Sequence, residues 1–146
     1  MKKALSLLFL ISCLLVSFHA KADDCSKGTD ILCNALANVT AQVNRCQTLD
    51  DMDKIDYDSA LNVKELSALP DECVKAPISA ADKVRLKNGF NGFFDALSSK
   101  TYEMCKGVLT RADIDSEFAS TKAAFANAVD KAGSYDELSD LILKIQ

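Results

Sequence analysis

Ser79-Ala80-Ala81-Asp82-Lys83-Val84-Arg85-Leu86-Lys87-Asn88-Gly89-Phe90-Asn91-Gly92-Phe93-Phe94-Asp95-Ala96-Leu97 is the stretch on which the fold turns. Val84, Leu86, Phe90, Phe93, Phe94 and Leu97 recur at helical spacing and form one broad apolar face. Ser79 stands where an N-cap belongs, with Asp82 three residues on in a capping-box arrangement. Gly89 and Gly92 interrupt the run, and each costs about 1 kcal/mol relative to Ala in a helix. Their presence predicts a kink or the close approach of a neighbouring helix.

The same periodicity extends to both sides. Leu32, Leu36, Val39, Val43 and Cys46 predict a first helix, capped by Thr29 or Asp30. Residues 47–77 are less regular, with short helices expected within Ser59 to Leu69 and boundaries at Pro70 and Pro77. Thr101 is expected to restart a short helix through Val108 and Leu109, and Asp113 to cap the next, through Ile114, Phe118, Phe125 and Val129. Gly133 suits a left-handed C′ position. Ser134-Tyr135-Asp136-Glu137 then opens a last helix with Leu138, Leu141, Ile142 and Ile145 on one face. Apolar stripes of this kind must be buried against one another. The expectation is an all-α, disulfide-stapled helical bundle of four main amphipathic helices plus one or two short ones.

The first 22 residues have a different character. Lys2 and Lys3 precede an apolar run from Leu5 to Phe18, and Ala20-Lys21-Ala22 supplies small residues at −3 and −1 of a cut before Asp23. This is the pattern of a secretory signal peptide with a bacterial-type start, cleaved after Ala22. The run is shorter than the roughly 20 residues of a membrane span. Leu10-Ile11-Ser12-Cys13 loosely resembles a lipobox, but the apolar run continues beyond Cys13. The expectation is therefore a single helical domain over 23–146, without a transmembrane segment, in the periplasm or outside the cell.

Cleavage changes the chemistry on offer. The only His, His19, and one of six Cys, Cys13, leave with the signal. The mature chain would have no His, which excludes His-based catalysis and His metal ligation. Its 17 basic residues less Lys2, Lys3 and Lys21 leave 14 against 21 acidic, a net charge of −7. Such a balance repels phosphate backbones, so no nucleic-acid partner is expected. Lys83, Arg85 and Lys87 form the one local basic cluster, a candidate docking site for an acidic protein or membrane surface, though polybasic lipid sites use about 4–8 charges.

Cys25, Cys33, Cys46, Cys73 and Cys105 remain. They contain no C-x-x-C and no zinc spacing, and a Cys nucleophile would lack a His base. Two disulfides and one spare thiol are expected. Cys33 and Cys46 lie on one helix about 20 Å apart and cannot pair. If the first helix and the long helix run antiparallel, Cys46 meets Cys73 at one end, and Cys105 meets Cys33 or Cys25 at the other. The remaining thiol would be free or would link two chains.

Asp51, Asp53 and Asp56 begin like a calcium loop, but the loop lacks the Gly at position 6 and the Glu at position 12. They make a weak cation candidate at most, and no resident metal or cofactor is expected. No phosphate loop, dinucleotide fingerprint or serine elbow is present, so no catalytic residue is assigned. The Phe-rich faces of Phe90, Phe93, Phe94, Phe118 and Phe125 could line a ligand pocket, although the cysteine spacing differs from that of insect odorant-binding proteins. The expected function is binding a protein or membrane partner, in the manner of an effector or inhibitor. The alternatives are an apolar-ligand or lipid carrier and, third, a His-independent hydrolase using carboxylates or a Ser/Lys pair.

Overall fold

The computed structural model describes residue 25, residues 27–57 and residues 68–145. The signal segment 1–22 and all but residues 68 and 69 of the stretch Ser59 to Leu69, where short helices are expected, lie outside the described residues. Helix α1 covers residues 27–45, with Cys25 helical ahead of it. It is followed by α2 (Leu49–Asp53), α3 (Asp71–Val74), α4 (Ala80–Met104), α5 (Arg111–Lys131) and α6 (Tyr135–Leu143). The protein is an all-α bundle, and no strand occurs among the described residues.

Helices α2, α4, α5 and α6 each start where a short polar side chain satisfies an otherwise unpaired amide. Ser79 Oγ accepts from the Asp82 amide at 3.1 Å, and Ser134 Oγ from the Glu137 amide at 3.3 Å, as their spacing predicts. Asp82 does not complete a box: its carboxylate accepts from the Ser79 hydroxyl instead. Helix α5 begins earlier than expected. Thr110, not Asp113, is its N-cap, and Asp113 serves as the reciprocal residue of a full capping box. Thr29 is not a cap at all. The first helix begins upstream of it, and its hydroxyl is buried against Tyr135. Thr101 continues α4 rather than starting a new helix, because nothing breaks the chain before Cys105. Gly133 follows Ala132, the C-cap of α5, but is not left-handed: only Gly107 has a positive φ among the described residues.

The core is one cluster. Leu32, Leu36, Val39 and Val43 come from α1, and Leu86, Phe90, Phe93, Phe94 and Leu97 from α4. Phe125 and Val129 from α5 and Leu138 from α6 join them, with Met52, Ile78 and Tyr135 also buried in the cluster. Val84 lies outside this face and is exposed. The two glycines of α4 differ. A Cβ on Gly89 would stand 3.0 Å from Leu36 Cδ1, whereas one on Gly92 would meet nothing within 4 Å. Gly89 therefore marks the close approach of α1, and Gly92 marks open surface.

Helix direction follows from paired contacts. Asp30 meets Arg85, and Leu36, six residues further along α1, meets Gly89, four residues further along α4. The two helices run parallel. In contrast, Lys87 meets Asp130, Asp95 meets Lys122, and Ser98 meets Asp115, so α4 and α5 are antiparallel. The first turns of α1, α4 and α6 gather at one end, where Ile78 donates to the Gly133 carbonyl at 3.0 Å.

The parallel arrangement overturns the expected cysteine pairing. Cys73 bonds to Cys25, with Cα atoms 4.7 Å apart, and not to Cys46. A helix of about 20 residues is about 30 Å long, so the two ends of α1 are far apart. Cys73 lies at the N-terminal end of α1, beside Cys25, while Cys46 stays at the other. Cys105 pairs with neither Cys33 nor Cys25: Cys33, Cys46 and Cys105 are all free thiols.

Candidate functional site

The basic cluster expected from the sequence is divided between two neighbours. Residues 83 and 87 lie one turn apart on α4 and face α5. Lys83 Nζ donates to the Asp130 backbone carbonyl at 2.9 Å, and Lys87 Nζ to the Asp130 carboxylate at 2.8 Å. A lysine at the last carbonyls of α5 also complements the negative end of that helix. Arg85 points the other way. Its guanidinium donates to Asp30 of α1 at 2.5 Å and lies 3.5 Å from Asp82. The Asp30 bond holds the Arg85 guanidinium above its ordinary value. The three cations thus join α4 to its neighbours and do not form one unpaired patch.

The acidic segment is also occupied locally. Asp51 Oδ2 accepts from the Gln47 and Thr48 amides, at 3.1 and 3.0 Å, and completes the capping box of α2. These bonds, that from Gln47 first, hold its carboxyl below the usual range. Among the described residues, no group of three or more Cys, Asp or Glu side chains is arranged to hold a metal ion, so Asp51, Asp53 and Asp56 do not converge on one.

The aromatic side chains pack on one another. Phe90 and Phe125 have ring centroids 5.0 Å apart, Phe94 and Phe125 5.1 Å, and Phe93 and Phe94 5.2 Å. These are core-type tilted and edge contacts. Phe118 packs at the border of the cluster.

One polar cluster resembles catalytic chemistry in composition. Ser98 donates to Asp115 at 2.5 Å. Arg111 Nε donates to the same carboxylate at 3.0 Å, and Arg111 Cζ lies 5.9 Å from the centre of the Tyr102 ring. The bond from Arg111, then that from Ser98, holds the Asp115 carboxyl below its ordinary value. That is the wrong direction for a general base, and Ser98 is buried. The cluster ties the end of α4 to the start of α5.

The feature that sequence reading missed is the turn between these helices. Val108 and Leu109, expected in a helix, occupy a tight loop over residues 105–110. The Cys105 carbonyl accepts from both the Val108 and the Leu109 amide, at 2.9 and 3.1 Å. A single bridge joins Lys106 to Leu109, and Gly107 has φ of 96°, a conformation that favours glycine. This built turn displays Val108 at 86% and Leu109 at 44% exposure, beside the exposed Lys106. The signal was the Gly inside an apolar run followed by Thr110-x-x-Asp113, a turn followed by a cap.

The chain matches no family model, no curated protein and no solved structure. Among the described residues, no helix is long and apolar enough to cross a membrane.

Proposed function

We propose that the protein is exported, loses residues 1–22, and acts by binding a protein or membrane-surface partner through the α4–α5 turn. The observation that carries this reading is the exposure of Val108 and Leu109 on a turn whose backbone is held in place. Burying two such side chains is worth about 3–5 kcal/mol. That is enough to anchor an interface but too little to hold one alone. The remaining polar groups favour the same reading. The basic side chains of α4 are engaged within the chain, and the Ser98–Asp115–Arg111 cluster lacks an activated base.

The test is a photo-crosslinking residue at position 108, with position 88 on the exposed face of α4 as a control, combined with vesicle flotation. Crosslinking or flotation that depends on position 108 and is lost in Val108→Ser/Leu109→Ser supports the reading; a protein crosslink and vesicle flotation distinguish the two partner classes. Equal labelling at 88 and 108, with no flotation, rejects it. Cell fractionation with N-terminal sequencing tests the export step, which predicts a mature chain starting at Asp23.

A further inference from the structure

At the gathered end the first turns of α1 meet α3, α4 and α6, and one of these contacts is covalent. Gly28 rests on the Tyr135 ring: a Cβ there would lie 2.9 Å from Cζ. Thr29 Oγ1 shares a buried 2.6 Å hydrogen bond with Tyr135 Oη. Asp30 meets Arg85 across exposed surface, where an ion pair contributes little. Cys25 is bonded to Cys73 of α3, at a sequence separation of 48. Helices α4, α5 and α6, by contrast, follow one another through short connections, and α4 and α5 are joined by their own contacts: Phe90–Phe125, Phe94–Phe125, Ser98–Asp115 and Lys122–Asp95. None of these passes through the disulfide.

We propose that the Cys25–Cys73 bond is a redox lock on α1. With the bond formed, the first turns of α1 are seated on α4 and α6. With it reduced, they leave while α4, α5 and α6 stay packed. Opening separates Thr29 from Tyr135 and uncovers the Tyr135 ring, so the reduced and oxidised chains present different surfaces. Closure is a two-electron step. The thiolate of one cysteine attacks a disulfide oxidant and releases one thiol. The second cysteine attacks the mixed disulfide and releases the other, so the oxidant gains the two electrons and two protons that Cys25 and Cys73 lose. The lock goes beyond the binding proposal and is tested separately from it.

The size of the effect follows from chain entropy. Removing a cross-link that closes a loop of this length favours opening by between about a hundredfold and a thousandfold. Sub-global opening of this kind is read directly by amide exchange. The experiment is hydrogen–deuterium exchange on the mature chain, oxidised with oxidised glutathione or reduced with dithiothreitol, with Cys25→Ala/Cys73→Ala as a second sample. Reduction is expected to speed exchange in residues 28–36 by about a hundredfold or more, with residues 90–97, 121–129 and 138–143 changing less than tenfold. The double variant should match the reduced chain and ignore dithiothreitol. An equal loss of protection in both regions would show that the bond only adds global stability. No change in residues 28–36 would show that it locks nothing. Either result overturns the proposal.

Discussion

Leu36 of α1 lies so close to Gly89 of α4 that a Cβ at position 89 would stand 3.0 Å from its Cδ1. Leu36 is buried in the common core and has little room to move. The contact fixes how closely the two parallel helices approach and, together with Asp30–Arg85, sets their register.

Gly89→Ala and Gly92→Ala should therefore differ in effect. Both gain about 1 kcal/mol of helix propensity. At position 89 the added methyl overpacks Leu36, at a cost of about 1–3 kcal/mol, so the net change is neutral to destabilising. At position 92 the methyl meets nothing within 4 Å, and the variant should be more stable by about 1 kcal/mol. Urea unfolding of the two variants checks this: equal stabilisation of both would remove the close approach.

The helical stripes were legible because periodicity states which residues share a face. Leu32, Leu36, Val39, Val43 and Cys46 are all buried, as their spacing requires. Periodicity does not state helix direction. Cys46 and Cys73 looked like partners only if α1 and α4 were antiparallel, and the Asp30–Arg85 and Leu36–Gly89 contacts show them to be parallel. Nor does it separate Gly89 from Gly92, which differ only in what lies opposite. The turn at Lys106-Gly107-Val108-Leu109 was hidden because two apolar residues after a helix read as more helix. Their exposure comes from the Gly107 turn and the Thr110 cap, not from composition.

Tyr135→Phe should cost about 1–3 kcal/mol, since it leaves the buried Thr29 hydroxyl without its partner. Adding Thr29→Val removes the orphaned group and should recover part of the loss, which a double-mutant cycle measures. Burial, the largest influence, raises the Tyr135 phenol above its ordinary 10.0. The folded state thus holds that proton more tightly than the unfolded chain. Its contribution is complete below the unfolded value and is lost as pH rises through the folded one. A tyrosinate absorbance titration should show a late phenol that is absent in Tyr135→Phe.

Acid should act through Asp113. Hydrogen bonds from the Thr110 side chain and then its backbone hold this carboxyl below 3.8. The stabilisation is complete above the unfolded value and is lost as pH falls through the lower folded one. Asp113→Asn should abolish that part of the acid dependence. Thr110→Ala should lower Tm by roughly 4 °C at neutral pH through loss of the N-cap. Thermal melts across the acid range test both, and an unchanged pH profile in Asp113→Asn would remove the capping-box account.

The direction of α1 is the claim on which the core, the disulfide and the redox lock all depend. It is tested most directly by non-reducing peptide mapping of the mature chain after alkylation of free thiols. The account predicts one cross-linked peptide pair joining Cys25 to Cys73, with Cys33, Cys46 and Cys105 alkylated. A Cys46–Cys73 pair would restore the antiparallel arrangement and contradict it.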